Sequence, residues 1–539
     1  MARKVVIGIL LCLLLLAGIL GANEYLLKSD EQFGTLVEAA EKEVMRMPLS
    51  EPALQAAAAS ARVPPSSPRS SSKPNIILVL ADDMGWRDVG YNHSEIRTPV
   101  MDRLAQTGVR FNRFYAQPTC SPTRAALLTG KAPLRLGILD PLAKNNPRGL
   151  PLNEETLADL LKARGYATAL VGKWHLGARN LAYHPNSRGF DHFYGNLTGA
   201  VGYFDKVHGG GYDWQRNGQT VRDEGYTTQL IAREAEQLIR ERIRDKPFFL
   251  YAAFGAPHLP NEALASTIDE YANIKDDKRR VHAAMVTELD RAIGRIEATL
   301  IDEGIAEETL LWFMSDNGGL TTDNPLRFLP DSVLKLVVET RFDAKADEKF
   351  IDFLKSNMRD GAGDNRPFSG GKSTVKEGGV RVPAFAYWPG TLIPHQFNSM
   401  ATVQDLVPTL LDLVDGALDS SPYDGHSILE ALLSETEAKV NPYLVQTVRL
   451  GESIAVYRYP YKLIVEDGAA LSLFDLGADP LESTNILAQH DDLVAELETF
   501  LAAFPRGENI AIPIQDAMQD TDYFGGAEDR KPWAEQAYW

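Results

Sequence analysis

The stretch NIILVLADDMGW, residues 75–86, predicts a buried strand that ends in two acidic residues. Its apolar run from Ile76 to Leu80 lacks polar alternation, which is typical of a strand covered on both faces of a sheet. Asp82 and Asp83 follow this run. Three further stretches share the pattern of an apolar run followed by polar residues: GYATALVGKWHLG (165–177), PFFLYAAFGAPHLP (247–260) and TLLWFMSDNGG (309–319).

Helical patterns separate these predicted strands. Residues 152–165, LNEETLADLLKARG, have Asn153 as the expected N-cap and Gly165 as the stop, and residues 222–245 and 278–304 carry apolar residues at helical spacing. The alternation predicts an α/β protein with a largely parallel sheet and helices on both faces. Ligands of such sheets bind outside the carboxyl ends of the strands, so we expect the four polar clusters to converge on one site.

The rest of the chain is predicted to fall into distinct parts. A basic N-terminus before an apolar run indicates a signal peptide or a signal anchor, which exports the remaining chain to the periplasm, a lumen or the exterior. After about residue 420 the sequence pattern changes and predicts short antiparallel strands followed by a closing helix. The predicted parts are the signal or membrane anchor 1–22, a helical then Ser/Pro-rich linker 23–73, the main catalytic domain 74–425, a small subdomain 426–504 and a C-terminal arm 505–539.

The charge and cysteine content limit the functions open to this chain. A formal net charge of -18 argues against nucleic acid as a partner, since phosphate backbones require basic surface. It leaves room for a local cationic pocket that binds a small anionic substrate. The chain has two cysteines, Cys12 in the apolar N-terminal run and Cys120 in PTCSPTRAALLTG (118–130). Nothing in the sequence indicates an oligomeric state.

Oxygen-bearing residues at two strand ends predict a metal site. Asp82 and Asp83 follow the first strand, and Asp316 and Asn317 follow the last. A single acidic pair at a strand end is often a turn former or a helix cap. Two such pairs without sulfur or imidazole favour calcium or magnesium over zinc.

Cationic and imidazole side chains supply the counterpart to these carboxylates. Lys173 and His175 lie in a glycine-bounded loop, His258 lies between two prolines, and Lys372 follows two glycines in SGGKSTVKEGGVRVP (369–383). Arg124 lies in the first turn of a helix that Pro122 can begin.

Cys120 is predicted to lie at the N-terminus of that helix, where backbone N–H groups favour an anion and a thiol tends to ionise. Together with the metal and the cations, it suggests a site for sulfate or phosphate esters.

A family resemblance joins these motifs. Cys120-Ser121-Pro122-Thr123-Arg124, followed by AALLTG, resembles the signature of the type I sulfatases. The likeness extends from Asn75 to about Phe504 through ADDMGW, GKWHLG, APHLP, MSDNGG, GGKSTVKEGG and LFDLGADPLESTN. It implies an alkaline-phosphatase-like fold and a Cys120 oxidised to formylglycine by a separate formylglycine-generating enzyme. It also implies calcium, in preference to magnesium, bound by Asp82, Asp83, Asp316 and Asn317, with residue 120 facing the ion.

The resemblance also implies a reaction. A hydroxyl of hydrated formylglycine 120 attacks the sulfur of a sulfate monoester, and Arg124, Lys173 and Lys372 stabilise the sulfuryl oxygens. His258, together with Lys372, protonates or polarises the leaving alcohol. His175 deprotonates the second hydroxyl, which expels sulfate and restores the aldehyde.

The substrate is indicated less directly. Residues 188–206, RGFDHFYGNLTGAVGYFDK, resemble the arylsulfatase B-like branch, which includes N-acetylgalactosamine-4-sulfatases, and this implies a sulfated sugar or glycan. Residues 320–364 depart from that branch, whose connection is shorter; they either shape the substrate mouth or form a surface elaboration. Two alternatives remain: a phosphodiesterase or phosphonate monoester hydrolase of the same superfamily, and a non-catalytic sulfoglycan-binding protein.

Overall fold

The computed structural model describes most of the chain from residue 73 to residue 512. The described residues are 73–208, 211–242, 246–321, 330, 332–333, 335, 361–416, 422–434, 443–448 and 451–512. The predicted segment 1–22, all but the end of the predicted linker, most of 320–364 and most of the predicted arm lie outside them. Among the described residues, no helix is both long and apolar enough to cross a membrane.

The described strands fall into a large central sheet, a small sheet and two short pairs. They are β1 Asn75–Ala81, β2 Val109–Phe111, β3 Phe114–Tyr115, β4 Ala167–Lys173, β5 His192–Asn196, β6 Val207–His208, β7 Gly211–Tyr212, β8 Gln215–Arg216, β9 Gln219–Thr220, β10 Phe248–Ala253, β11 Thr309–Ser315, β12 Ala384–Tyr387, β13 His395–Phe397, β14 Ala401–Thr402, β15 Leu444–Val448, β16 Ser453–Arg458, β17 Tyr461–Glu466 and β18 Ala469–Asp475.

The described α-helices lie on both faces of the central sheet and against the small sheet. They are α1 Pro99–Thr107, α2 Cys120–Thr129, α3 Pro133–Leu136, α4 Leu157–Ala163, α5 Thr227–Glu241, α6 Ala265–Asp269, α7 Asp277–Asp302, α8 Glu377–Val380, α9 Leu406–Asp415, α10 Leu429–Ser434 and α11 Asp491–Ala503.

The central sheet has ten strands in the order β13-β2-β12-β11-β1-β10-β4-β5-β8-β9. Its five middle strands, from β11 to β5, are mutually parallel. The four apolar stretches of the sequence are the adjacent strands β11, β1, β10 and β4, so their carboxyl ends share one edge. This arrangement confirms the predicted α/β fold. The antiparallel strands β12 and β8 extend the sheet on either side.

Strand β1 shows why both faces of the sheet are covered. Ile76, Leu78 and Leu80 point to a core layer that includes residues of α2, α4 and α9. Ile77 and Val79 point to the opposite layer, which includes residues of α1, α5 and α7. All seven residues of β1 are buried, because alternate side chains enter two different cores.

One predicted helix boundary is wrong. The helix expected to be capped by Asn153 is α4, which begins after Thr156. The side chain of Thr156 accepts a hydrogen bond from the backbone N–H of Asp159, and the Asp159 carboxylate accepts one from the N–H of Thr156. This reciprocal capping box satisfies two N–H groups at the helix start, which the Asn153 position does not provide.

The small antiparallel sheet, β15-β16-β17-β18, agrees with the predicted C-terminal subdomain fold. Its outer face packs against Leu497 and Leu501 of α11, the predicted closing helix. Its inner face packs against Val375, which precedes α8, and Val380, the last residue of α8; both lie close in sequence to Lys372. The small sheet therefore covers a segment that carries a predicted site residue.

Gly172 in β4 provides a test of the sheet packing. Its φ is +111°, and a Cβ added there would lie 1.9 Å from the carbonyl oxygen of Ala253. We expect Gly172→Ala to destabilise the fold by about 3 kcal/mol or more, since backbone strain and steric overlap add. Gly304 is the matched control, because its φ is +68° and no heavy atom lies within 4 Å of the added Cβ.

Gly304→Ala should lower the free energy of unfolding by only about 1–2 kcal/mol, which is the strain of a non-glycine residue in the left-handed conformation. Thermal unfolding midpoints check this ranking: Gly172→Ala should unfold at a lower temperature than Gly304→Ala. Equal midpoints would contradict the role given to the Ala253 contact.

Candidate active site

The predicted site residues converge at the carboxyl edge of the central sheet. Asp82 and Asp83 follow β1, His175 follows β4, His258 follows β10, and Asp316 and Asn317 follow β11. Cys120 is the first residue of α2, and Arg124 lies one turn later in the same buried helix. Lys372 reaches this edge from the described segment 361–376, which precedes α8.

Asp82 and Asp316 form a buried ionic cluster with two cations. The Nζ atom of Lys173 lies 2.5 Å from Asp82 Oδ2, and the guanidinium of Arg124 donates to Asp316 Oδ2 at 2.8 and 3.2 Å. Arg124 also lies 3.5 Å from Asp82 Oδ2 and donates to the carbonyl of Lys173. Burial and the Asp82 carboxylate raise the pKa of Asp316 to about 6.

Asp83, Lys372 and His258 form a second cluster. Lys372 Nζ donates to Asp83 Oδ2 at 2.7 Å and to His258 Nε2 at 2.9 Å. Burial raises the pKa of Asp83, but Lys372 and His258 outweigh it and hold that pKa well below its usual range. Burial and Lys372 lower the pKa of His258 to about 3. His258 is therefore neutral, with its Nδ1–H donating to the carbonyl of Leu259 at 2.6 Å.

Cys120 faces His175. The Sγ atom lies 3.2 Å from His175 Nδ1, and His175 Nε2 lies 3.0 Å from the carbonyl oxygen of Leu142. A carbonyl only accepts, so Nε2 carries the hydrogen and Nδ1 accepts from the thiol. Burial, with Lys173 and Arg124, lowers the pKa of His175. Burial raises the pKa of the Cys120 thiol, which argues against the expected thiolate for the unmodified residue.

Among the predicted metal ligands, Asp82 Oδ1 and Asn317 Oδ1 are buried without a hydrogen-bond partner. Both are hard donors at the predicted metal position, so the residues present fit a calcium or magnesium ion. Among the described acidic, histidine and cysteine residues, Asp82, Asp83 and His258 could share one ion. We favour the oxygens, because His258 Nε2 already accepts from Lys372. Asp316 Oδ1 accepts from the Asp83 N–H, and its Oδ2 accepts from Arg124.

Several supporting residues had no role in the sequence-based prediction. Ser121 Oγ donates to the carbonyl of His175 and accepts from the N–H of Leu142, which fixes the loop around the imidazole. The side chain of Asn365 pairs with both backbone groups of Gly319. The hydroxyl of Tyr203 is 2.8 Å from the carbonyl of His258. Ser121 lies within the quoted Cys-Ser-Pro-Thr-Arg motif and Tyr203 within the quoted stretch 188–206. None of the three roles could be assigned from sequence, because each depends on tertiary contacts.

Buried carboxylates, three cations and residue 120 at a helix N-terminus define a candidate hydrolase site for an anionic ester. The chain belongs to the sulfatase family, whose sequence profile matches residues 74–417. Arylsulfatase J of Mus musculus is 33% identical over 384 residues, which cover 68% of this chain and 57% of that protein. N-acetylgalactosamine-6-sulfatase of Homo sapiens is 34% identical over 384 residues, which cover 67% of this chain and 66% of that protein. The chain thus spans less than two thirds of either relative.

A solved structure shares the fold across both sheets. The crystal structure of Ps i-CgsB is 28% identical, with a TM-score of 0.68, and the match covers 84% of this chain and 99% of that one. The same figures hold for its complex with k-i-k-neocarrahexaose. These likenesses confirm the predicted family and fold. They include a 6-sulfatase by name, so they do not establish the predicted 4-sulfatase branch.

Gly199 provides a test of how the His175 ring is positioned. A Cβ on Gly199 would lie 2.7 Å from both Cε1 and Nε2 of His175. We expect Gly199→Ala to displace the imidazole, break its bond to Leu142 and cost about 1–3 kcal/mol. Crystal structures and thermal midpoints check this. Gly255→Ala is the control, because its nearest new contact is 4.0 Å away. An unmoved ring in the Gly199 variant would contradict the expectation.

Proposed function

We propose that this protein hydrolyses sulfate monoesters of a sulfated sugar or glycan. The observation that carries the proposal is the contact of residue 120 with His175 Nδ1 beside the buried carboxylates and cations. Family membership supports the reaction. The names of the relatives and the oligosaccharide complex of Ps i-CgsB support the substrate class.

Residue 120 is proposed to act as formylglycine, formed from Cys120 by a separate modifying enzyme. Its hydrate would supply one hydroxyl as nucleophile and a second hydroxyl whose deprotonation expels sulfate. His175 accepts a proton at Nδ1, because the carbonyl of Leu142 holds the hydrogen on Nε2. The lowered pKa of His175 keeps that lone pair available at neutral pH.

The leaving alcohol is proposed to take its proton from the pair of Lys372 and His258. In this pair the proton resides on Lys372 Nζ, since His258 Nε2 accepts from it and is neutral. Asp83 opposes the effect of burial and raises the pKa of Lys372, which keeps it an ammonium group before reaction. Lys372 therefore binds the ester as a cation and donates a proton from Nζ to the leaving oxygen, beside the neutral His258.

Arg124 and Lys173 are proposed to orient the carboxylates and to stabilise the sulfuryl oxygens. Both are almost completely buried and both contact Asp82. Donors fixed in this way need no reorganisation as charge develops in the transition state.

A calcium ion, with magnesium as the second choice, is proposed to lie among Asp82, Asp83, Asp316 and Asn317, facing residue 120. It would supply Lewis-acid polarisation and two positive charges. The three carboxylates already balance the three cations Arg124, Lys173 and Lys372, so these two charges would make the pocket attractive to an anionic ester.

Mass spectrometry and turnover test the nucleophile. The tryptic peptide 114–124 of active protein should be about 18 Da lighter than its thiol form, the change from thiol to aldehyde. Cys120→Ser should trap covalent sulfate or be nearly inactive on an aryl sulfate, because a single hydroxyl cannot expel the bound group. Cys12→Ser is the control and should retain activity.

The same assay run on an aryl phosphodiester distinguishes the superfamily alternative, which predicts faster diester cleavage. Full turnover by Cys120→Ser, or an unmodified thiol in active protein, would overturn the formylglycine proposal. Sulfoglycan binding without turnover of any ester would favour the non-catalytic alternative.

Calcium dependence of stability tests the metal proposal. Chelation should lower the thermal unfolding midpoint, and added calcium should restore it; a ligand at 100 times its Kd stabilises by about 2.7 kcal/mol. Asn317→Ala should weaken this response, because it removes the unpaired Oδ1. Asp290→Asn is the control: Asp290 is a buried carboxylate that accepts from the N–H groups of Val100 and Met101. A full calcium response in Asn317→Ala would contradict the assignment.

A further inference from the structure

Two glutamates in the quoted motifs have no role in the proposed chemistry. Glu377 lies in GGKSTVKEGG, five residues after Lys372, and Glu482 lies in LFDLGADPLESTN, after the small sheet. The Glu377 side chain is fully buried, and that of Glu482 is 1% exposed. Both contact Lys462 of β17, whose side chain is also fully buried. Buried charges are expensive, so this group requires an explanation.

The contacts form a clamp that links the small sheet to the segment carrying Lys372. Lys462 Nζ donates to Glu377 Oε1 at 3.1 Å and lies 2.6 Å from Glu482 Oε1 as an ion pair. The Oε2 atom of Glu482 accepts from the Glu377 N–H at 2.8 Å and from Ser369 Oγ at 3.2 Å. Tyr115 donates to Glu377 Oε2 at 2.8 Å.

The clamp fixes both ends of the Lys372 loop. Ser369 and Glu377 bracket the loop, and the N–H of Gly378 donates to the carbonyl of Ser369 at 2.8 Å, which closes it. Between these ends, the N–H of Lys372 donates to the carbonyl of Gly319, next to the Asp-Asn strand end. A shift of Glu377 would therefore change the distance from Lys372 Nζ to His258 and to Asp83.

Apolar packing covers both faces of the small sheet. Hydrogen bonds from Gln446 Nε2 to the carbonyl of Ala116 and from Gln117 Nε2 to the carbonyl of Val445 also join it to the segment before α2. The ionic group adds directional contacts at both ends of the loop, Ser369 and Glu377. Arg381, 3.6 Å from Glu377 Oε2, supplies a second cation, so two carboxylates are balanced by two positive charges. Directional contacts of this kind specify a position more sharply than packing does.

We propose that Lys462 is a positioning residue for Lys372, which makes the small C-terminal sheet part of the catalytic assembly. The inference rests on the role of Lys372 in the proposed sulfate ester hydrolysis. Lys462 contacts neither residue 120 nor the predicted metal ligands in the described contacts; it acts through Glu377 and Glu482.

The test compares Lys462→Met with Leu463→Ala. Lys462→Met keeps the apolar stem and removes the charge. Leu463 is the next residue, fully buried in the opposite face of the sheet, so Leu463→Ala loosens the subdomain without touching Glu377. With an aryl sulfate, Lys462→Met should lower kcat about 10- to 100-fold, the scale of a misplaced catalytic group, with a smaller change in KM. Leu463→Ala should lower the unfolding midpoint and leave kcat near that of the parent protein.

Two readouts separate positioning from general loss of structure. In a Lys372→Ala background, adding Lys462→Met should leave kcat unchanged, because the group being positioned is absent; independent effects would multiply. Hydrogen exchange of amides 369–380 should rise in Lys462→Met and not in Leu463→Ala. If Lys462→Met does not fold, Glu482→Gln replaces it; this variant keeps the pair of Glu377 and Lys462 and should raise the same exchange.

The outcomes distinguish this inference from the proposed function. If the parent protein is active and Lys372→Ala is impaired, either of two results would overturn the positioning role alone. One is a near-parent kcat in Lys462→Met; the other is that the effects of Lys462→Met and Lys372→Ala on kcat multiply in the double variant. Inactivity of the parent on every sulfate ester would overturn the proposed function, while the exchange comparison still supports or refutes the clamp. Equal exchange in the parent and Lys462→Met would refute it.

Discussion

Three carboxylates, those of Asp82, Asp83 and Asp316, lie buried together at one edge of the central sheet, and the rest of the structure depends on balancing their charge. Parallel strands bring them there, because β1 and β11 are neighbours and end at the same level. Each ion that is removed from water carries a large desolvation cost, which only close partners can offset. The partners are Arg124 from α2, Lys173 from β4 and Lys372 from the loop before α8.

Because the cations come from separate elements, the charge balance also ties those elements together. Arg124 reaches the carboxylates from a helix buried along its whole length, and its guanidinium also donates to the carbonyl oxygen of Lys173. Lys372 comes from a segment covered by the small sheet. Electrostatics at the site and packing of the C-terminal strands are therefore coupled through one loop.

The sequence predicted the central strands and the convergence of their polar ends because each carries a local signal. Long apolar runs mark strands buried on both faces, and the rule for carboxyl ends places their polar residues together. The strands β13, β2 and β12, on one side of the parallel strands, were not predicted, since strands of three or four residues carry too little pattern. The start of α4 was misplaced because two polar residues compete as caps and only Thr156 has Asp159 three residues later.

Within the site, residue types were predictable and their pairings were not. The tautomers of His175 and His258 depend on the carbonyls of Leu142 and Leu259 and on Lys372, contacts that arise only on folding. The same holds for the cation that reaches Glu377 from a strand 85 positions further along the chain. Sequence motifs indicate which groups are available, whereas burial and neighbours determine their protonation.

The protonation of Cys120 illustrates this distinction and bears on the chemistry. A helix N-terminus favours a thiolate, and the sequence-based expectation rests on that position. The thiol is 2% exposed, and burial outweighs Lys173 and Lys372, so its pKa rises and it donates to His175. A neutral thiol is a poor nucleophile, whereas a group with two hydroxyls can use the same His175 Nδ1 as a proton acceptor. The contact with His175 Nδ1 therefore supports the modification proposed for residue 120.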